Sequence, residues 1–238
     1  MLNLYITSGK SKEGKTFLTS GLAATMQSLG YKTSVYKPIQ TGGIDINGFM
    51  QSPDLTVVKS VDPYVNTHFS YLFKTKTEPL LAAEVENEYI DIELIYNDFH
   101  KLVTNSDCTI VDGDGGLLSP VAPAQQNLDM LKRLQVPILF VITPREDAIN
   151  ETLLSINVAQ NKGLLVRGVV INNINDDCSK ELLTSITRVV EEYTNVNILG
   201  LLPNLGVRPN PEEIITAMLN GVDIESIFGV KIEKLGFN

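Results

Sequence analysis

Cysteine and histidine are scarce in this chain, with two of each among 238 residues. Cys108 and Cys178 cannot build a disulfide framework, and no Cys/His spacing suggests a metal site. Two ordinary thiols fit a reducing compartment. His68, read in a loop, and His100, read in a helix, are assigned no role. Basic residues are also in short supply: 19 Lys and Arg face 28 Asp and Glu, for a net charge of -9. No basic stripe marks the chain, so no nucleic-acid partner is expected. The acidic balance favours solubility. No apolar run approaches the ~20 residues that span a bilayer. The start, "MLNLYITSGK", has neither the basic region nor the cleavage site of a signal peptide. A C-terminal amphipathic membrane helix is missing as well. These absences lead to the expectation of a cytoplasmic protein without a membrane partner. No repeat, low-complexity segment or linker interrupts the chain, so one domain over residues 1–238 is expected.

What is present is a regular alternation. Hydrophobic residues make up 43% of the chain, enough for a substantial core. Apolar runs rich in β-branched residues stand at 2–7, 32–37, 108–112, 136–142, 167–172 and 196–202. Near-continuous apolar runs suit strands covered on both faces. Amphipathic candidates lie between them at 15–29, 91–104, 126–134, 147–162 and 179–193. The alternation predicts an α/β fold: a mostly parallel central sheet flanked by helices on both faces. Ligands in such folds bind beyond the carboxyl ends of the strands. The stretch 61–79, with Pro63 and Pro79, is expected to be irregular. So is the loop 203–211, "PNLGVRPNP". A short helix and a tail are expected over 221–238.

The first strand is followed by "GKSKEGKT" (9–16), which fits G-x-x-x-x-G-K-[ST] at every fixed position and opens a helix. Gly9 and Gly14 let the backbone curl until several N–H groups point inward. Lys10, Ser11, Lys12 and Glu13 fill the loop, and Phe17 follows it. The helix adds its positive N-terminal end. Lys15 can reach terminal phosphates, and Thr16 can offer a hydroxyl to Mg²⁺. The pattern therefore predicts a phosphate-loop NTPase that binds ATP with Mg²⁺. In "TIVDGDGG" (109–116), Asp112 ends an apolar strand and is either a metal ligand or a strand-end turn residue. Gly113, Gly115 and Gly116 allow close backbone approach to the phosphates. Asp54 starts a helix and is either an N-cap or a second metal ligand.

Together these pieces make the chain resemble the dethiobiotin synthetase family. The residues that carry the resemblance are the phosphate loop, "GYKTSVYKPIQTG" (30–42), "SPDL" (52–55), "VDGDGGLLSP" (111–120), "INETLLS" (149–155), "GVVINN" (168–173) and "LGLLPNL" (199–205). The resemblance covers about residues 2–205. It implies closure of a cyclic urea from diaminopelargonic acid, CO₂ and ATP by a homodimer. A carbamate attacks the γ-phosphoryl group, and the mixed carbamic–phosphoric anhydride then closes on the neighbouring amine. The resemblance further implies that Lys15 and Lys37 clamp the two anions, with Ser11 in contact. Mg²⁺ would lie between Thr16, Asp54 and Asp112. Thr41, Gly116 and Asn150 would face the substrate. Asn172 would read the adenine edge unless it is only a turn residue, and Pro203, Asn204 and Leu205 would complete the base pocket. Pro38 is expected to stiffen the turn that presents Lys37.

The chain also departs from the family. Lys12 stands where a Glu is usual, Asp112 replaces a Glu, and Asp114 replaces an Ala. Glu146 and Asp147 sit at the helix start that would bind the substrate carboxylate, with Arg145 beside them to compensate. An alternative reading is a regulatory or partition-type switch ATPase. Lys10 lies five positions before Lys15, where those proteins carry a signature lysine. An amidoligase-like relative would need a glutaminase Cys/His arrangement, which is not visible.

Overall fold

The computed structural model describes residues 1–145 and 148–231. From the N-terminus the elements are β1 (Leu2–Thr7), α1 (Lys15–Ser28), β2 (Thr33–Gln40), a hairpin of β3 (Ile44–Ile46) and β4 (Phe49–Gln51), α2 (Pro53–Val61) and β5 (Asn66–Leu72). Next come α3 (Pro79–Val85), α4 (Ile92–Thr104), β6 (Cys108–Asp112), a short ladder of β7 (Pro120–Ala122) and β8 (Gln125–Gln126), and α5 (Asn127–Leu134). The chain continues through β9 (Ile138–Ile142), α6 (Ala148–Asn161), β10 (Val166–Ile174), α7 (Lys180–Thr194), β11 (Ile198–Pro203), α8 (Pro211–Gly221) and α9 (Ile224–Phe228).

Seven strands form one sheet in the order β11-β10-β9-β1-β6-β2-β5, and every pairing is parallel. All six expected strands are present. β2, β6 and β9 are buried along their whole length, as strands covered on both faces are, and β2 and β6 bury Lys37 and Asp112 as well as apolar residues. One core gathers Tyr5, Tyr36, Phe140, Ile95 and Ile156 on the α4–α7 side. The other gathers Leu4, Ile6, Leu18, Leu22 and Met218 under α1, α2, α8 and α9. Each fully buried Leu or Ile of this kind contributes about 1.5–3 kcal/mol. Within α1, residues Leu18 to Met26 are all buried. Gly21 makes this possible: a Cβ there would lie 2.4 Å from the Met218 side chain, so α8 rests directly on the α1 backbone.

Five expectations need correction. The stretch 61–79 contains β5, an edge strand paired with β2. Its sequence, NTHFSYL, is largely polar and half-exposed, so it lacks the apolar run of a buried strand. His68 therefore lies in a strand rather than a loop. The loop after β11 ends at Pro211, which starts α8 behind a capping box of Asn210 and Glu213. Pro38 is not in a turn: β2 runs on to Gln40, and its register with β6 ends at Tyr36, so the missing N–H costs no ladder bond there. Finally, the N-cap of α2 is Ser52, whose side chain accepts from Leu55 N–H, and Asp54 follows two residues later in the first turn. Among the described residues no helix is long and apolar enough to cross a membrane.

Candidate nucleotide and metal site

The phosphate loop joins β1, the central strand, to α1. Gly14, at φ 89°, is the N-cap position of α1. Left-handed backbone there costs a glycine little. A Cβ at Gly14 would lie 2.0 Å from Asn172 Nδ2, so the end of β10 closes over the loop. Lys15 Nζ donates to Ser8 Oγ at 3.1 Å. Burial pulls its ammonium below the ordinary lysine value, against the opposing pull of Asp112.

Lys37 comes from β2 and is only 1% exposed. Its Nζ stands 2.7 Å from Asp54 Oδ2 and 3.2 Å from Asp112 Oδ2, and it donates to the Gly113 carbonyl at 3.4 Å. Burial alone would lower its pKa, but Asp112 and then Asp54 outweigh burial and hold it well above the ordinary value. Lys37 is thus a charged ammonium between two carboxylates. Burial likewise works against the charged form of Asp54. The Lys37 charge and hydrogen bonds from Lys37 and Thr16 overcome it, and the Asp54 pKa falls below its ordinary value. Asp112 accepts from the Thr19 hydroxyl at 3.3 Å, and burial raises its pKa against the pull of Lys37.

Asp54 and Asp112 thus face the same Lys37 ammonium, and the Thr16 hydroxyl hydrogen-bonds Asp54. All three are hard oxygen donors of the kind Mg²⁺ prefers. Among the described residues no group of three or more His, Cys, Asp or Glu converges to hold a metal. Two carboxylates with phosphate and water is nevertheless a common Mg²⁺ set.

A cleft of about 690 Å³ opens beside the loop, lined by Lys12, Glu13, Gly14, Thr16 and Phe17, with Asp54 on one wall. Asn172, Pro203, Asn204 and Leu205 line the same cleft. This is the size of an ordinary small-molecule pocket. Asn172 donates from Nδ2 to the Glu13 carbonyl at 3.2 Å, so part of its amide braces the loop. Val57, Val61, Val207 and Arg208 also line the cleft and carried no sequence signal.

The candidate substrate residues Thr41, Gly116 and Asn150 do not line this cleft. Thr41 donates to Asp114 Oδ2 at 3.1 Å. At Gly116 a Cβ would meet only the Gly9 carbonyl, at 3.8 Å, so the 113–116 loop runs close past the phosphate loop. Gly115, at φ 66°, turns that loop beside Ser119. Asn150 is exposed at the start of α6, and Ser11 is exposed at the tip of the phosphate loop. Arg145, expected to help a substrate carboxylate, lies 2.6 Å from Glu13 Oε1. Lys10 pairs with Glu151 at 3.4 Å. Glu146 and Asp147 lie outside the described residues. Sequence reasoning missed Ser8 and Thr19, the hydrogen-bond partners of Lys15 and Asp112. Both sit beside the motif and belong to no pattern.

Known proteins resemble this chain in sequence and in fold. An ATP-dependent dethiobiotin synthetase of Bacillus cereus (strain G9842) is 29% identical over 215 residues, covering 90% of this chain and 88% of the relative. That of Bacillus subtilis (strain 168) is 28% identical over 208 residues, covering 86% and 88%. The MinC:MinD cell division complex of Aquifex aeolicus matches in fold, with a TM-score of 0.59, 16% identity and 99% of each chain covered. MinD of Pyrococcus horikoshii OT3, complexed with Mg-ADP, gives a TM-score of 0.57 at 17% identity, covering 91% and 86%. The model of the AAA domain family matches residues 3–211, and with most of its length so matched the chain belongs to that family.

Proposed function

We propose that the protein is an ATP-dependent dethiobiotin synthetase, converting diaminopelargonic acid, CO₂ and ATP to the cyclic urea, ADP and phosphate. The observation that carries this reading is the buried Lys37 ammonium, 2.7 Å from Asp54 and 3.2 Å from Asp112 and beside the phosphate loop. A ligase of this type must bring a carbamate and a triphosphate together, and both are anions. Lys15 and Lys37 supply the positive charge that offsets their repulsion. ATP supplies the phosphoryl group that activates the carbamate, and Mg²⁺, held by Thr16, Asp54 and Asp112, would neutralise phosphate charge. The phosphate loop from Gly9 to Thr16 orients the triphosphate through its backbone N–H groups. The cleft from Phe17 to Leu205 takes the base and sugar, and Thr41, Gly116 and Asn150 face the diamine. Relatives at 27–29% identity over most of the chain support the reading.

A single domain, active as a cytoplasmic homodimer, completes the proposal. No observation favours the partition-type switch: its signature-position lysine, Lys10, pairs with Glu151 of the same chain. The test is direct. The protein is incubated with ATP, Mg²⁺, bicarbonate and diaminopelargonic acid, and dethiobiotin is sought by mass. Product that depends on all four components is expected. Phosphate release that is equal without the diamine would remove the ligase reading.

A further inference from the structure

Glu13 occupies a variable position of the phosphate loop, where the motif asks nothing of the side chain. It is nevertheless only 2% exposed. A buried carboxylate requires partners, and Glu13 has several. Its Oε2 accepts from the Thr143 backbone N–H at 2.6 Å. Its Oε1 lies 2.6 Å from Arg145 Nη1. Its carbonyl accepts from Asn172 Nδ2 at 3.2 Å and from the Thr143 hydroxyl at 3.5 Å. One loop residue is therefore held from the ends of both β9 and β10.

The connection continues into α6. Arg145 Nη2 lies 3.7 Å from Glu151 Oε2, and Lys10, at the far side of the loop, lies 3.4 Å from Glu151 Oε1. The backbones approach as well: a Cβ at Gly9 would lie 3.0 Å from the Glu151 carbonyl oxygen. The loop is fastened at both of its flanks to the first turn of one helix.

Such fastening has a physical purpose. The loop holds Lys12 at φ 67° and Gly14 at φ 89°. Left-handed backbone at a lysine is unfavourable and persists only when its surroundings enforce it. A loop held ready for an anion binds it without the cost of ordering. We propose that Glu13 and Arg145 are positioning residues whose ion pair, between the buried Glu13 carboxylate and the half-buried Arg145 guanidinium, holds the phosphate loop in its anion-binding shape and ties it to α6. The proposal rests on the nucleotide-binding part of the functional reading and on nothing about the second substrate.

The test uses the full chain and titration calorimetry with Mg·ADP. Variants are Glu13→Gln, Arg145→Gln, the double variant and Arg145→Lys. Each Gln variant is expected to weaken nucleotide binding tenfold or more, and Arg145→Lys to restore part of the loss. The double variant is expected to bind about as well as either single one, because the two residues act as a pair. In steady-state assays the KM for nucleotide rises by a larger factor than kcat falls, which a general loss of fold would not produce. Binding within twofold of wild type in both single variants would overturn the proposal, as would independent, additive losses. Should Glu13→Gln fail to fold, Arg145→Gln decides alone: wild-type affinity there overturns the proposal. A wild-type chain that binds no nucleotide overturns the functional reading and this proposal together. Wild-type binding shared equally by the variants overturns the proposal only.

Discussion

The Lys37 ammonium stands 2.7 Å from Asp54 Oδ2, although the two residues come from different elements, β2 and the first turn of α2. Asp112 shares the same ammonium from β6. Replacing Lys37 by Ala leaves two carboxylates facing one another without a cation. Breaking a buried pair in this way costs about 3–5 kcal/mol. Turnover should fall by about a hundredfold or more, as loss of a charge clamp does, while nucleotide affinity changes little. Mg²⁺ should raise the melting temperature of Lys37→Ala more than that of wild type, because it supplies the missing charge. Steady-state kinetics and thermal melts check both statements. An unchanged turnover would remove Lys37 from the chemistry.

The same contact sets a pH dependence. Burial opposes ionisation of Asp54, yet Lys37 and Thr16 lower its pKa in the fold. The unfolded chain therefore takes up this proton at a higher pH than the folded chain does. The stability contributed is complete above the unfolded value of about 4. It is lost as pH falls through the lower folded value. Between pH 4 and pH 2 wild type should lose more stability than Asp54→Asn. Urea midpoints measured at pH 7, 4 and 3 test this, and parallel curves for the two proteins would count against the ion pair.

Gly14 and Gly30 share a left-handed backbone, at φ 89° and 91°, but only Gly14 is crowded. A Cβ at Gly14 would meet Asn172 Nδ2 at 2.0 Å, whereas at Gly30 nothing lies within 4 Å. Gly30→Ala should cost only the backbone strain, about 1–2 kcal/mol, and leave nucleotide binding intact. Gly14→Ala should in addition push Asn172 out of its bond to Glu13 and weaken nucleotide binding severalfold. Equal effects of the two substitutions on binding would show that the closure of Asn172 over the loop is unimportant.

These contrasts show what the sequence made legible. The apolar runs specified six strands because a strand buried on both faces is built mainly of apolar residues, as β9 is throughout, whereas β2 buries Thr33, Ser34, Lys37 and Gln40 beside its apolar positions. β5 escaped because an edge strand needs no such run, and its residues from Asn66 to Leu72 are largely polar. The helix α8 followed a loop rich in Pro and Gly, and its start signal, Asn210 with Glu213, was hidden by that composition. Gly9, Lys15 and Thr16 were visible because a motif fixes them. The binding partners of Glu13 were not, since Thr143 is 130 positions away and Glu13 fills a position the motif leaves open.

Cys108 and Cys178 are both free, but their surroundings differ. Cys108 sits in β6 with none of its surface exposed, and Cys178 is partly exposed before α7. Burial, with a smaller contribution from Asp107, pushes the Cys108 thiol up to about 12. The reactive species is the thiolate, so Cys108 should be inert in the native protein at pH 8. A thiol–disulfide reagent should label one cysteine per native chain, Cys178, and both after unfolding in denaturant. The raised pKa also fixes the sign of an alkaline effect. The unfolded thiol ionises near the ordinary value of about 8.5, while the folded one stays protonated to a much higher pH. The unfolded state therefore binds fewer protons in that range, and this contribution to stability falls as pH rises from about 9 towards 12. Cys108→Ala should lose this part of the alkaline decline, although it also leaves a small cavity in the core. Rapid labelling of two thiols in the native protein would show that β6 opens far more readily than its burial implies.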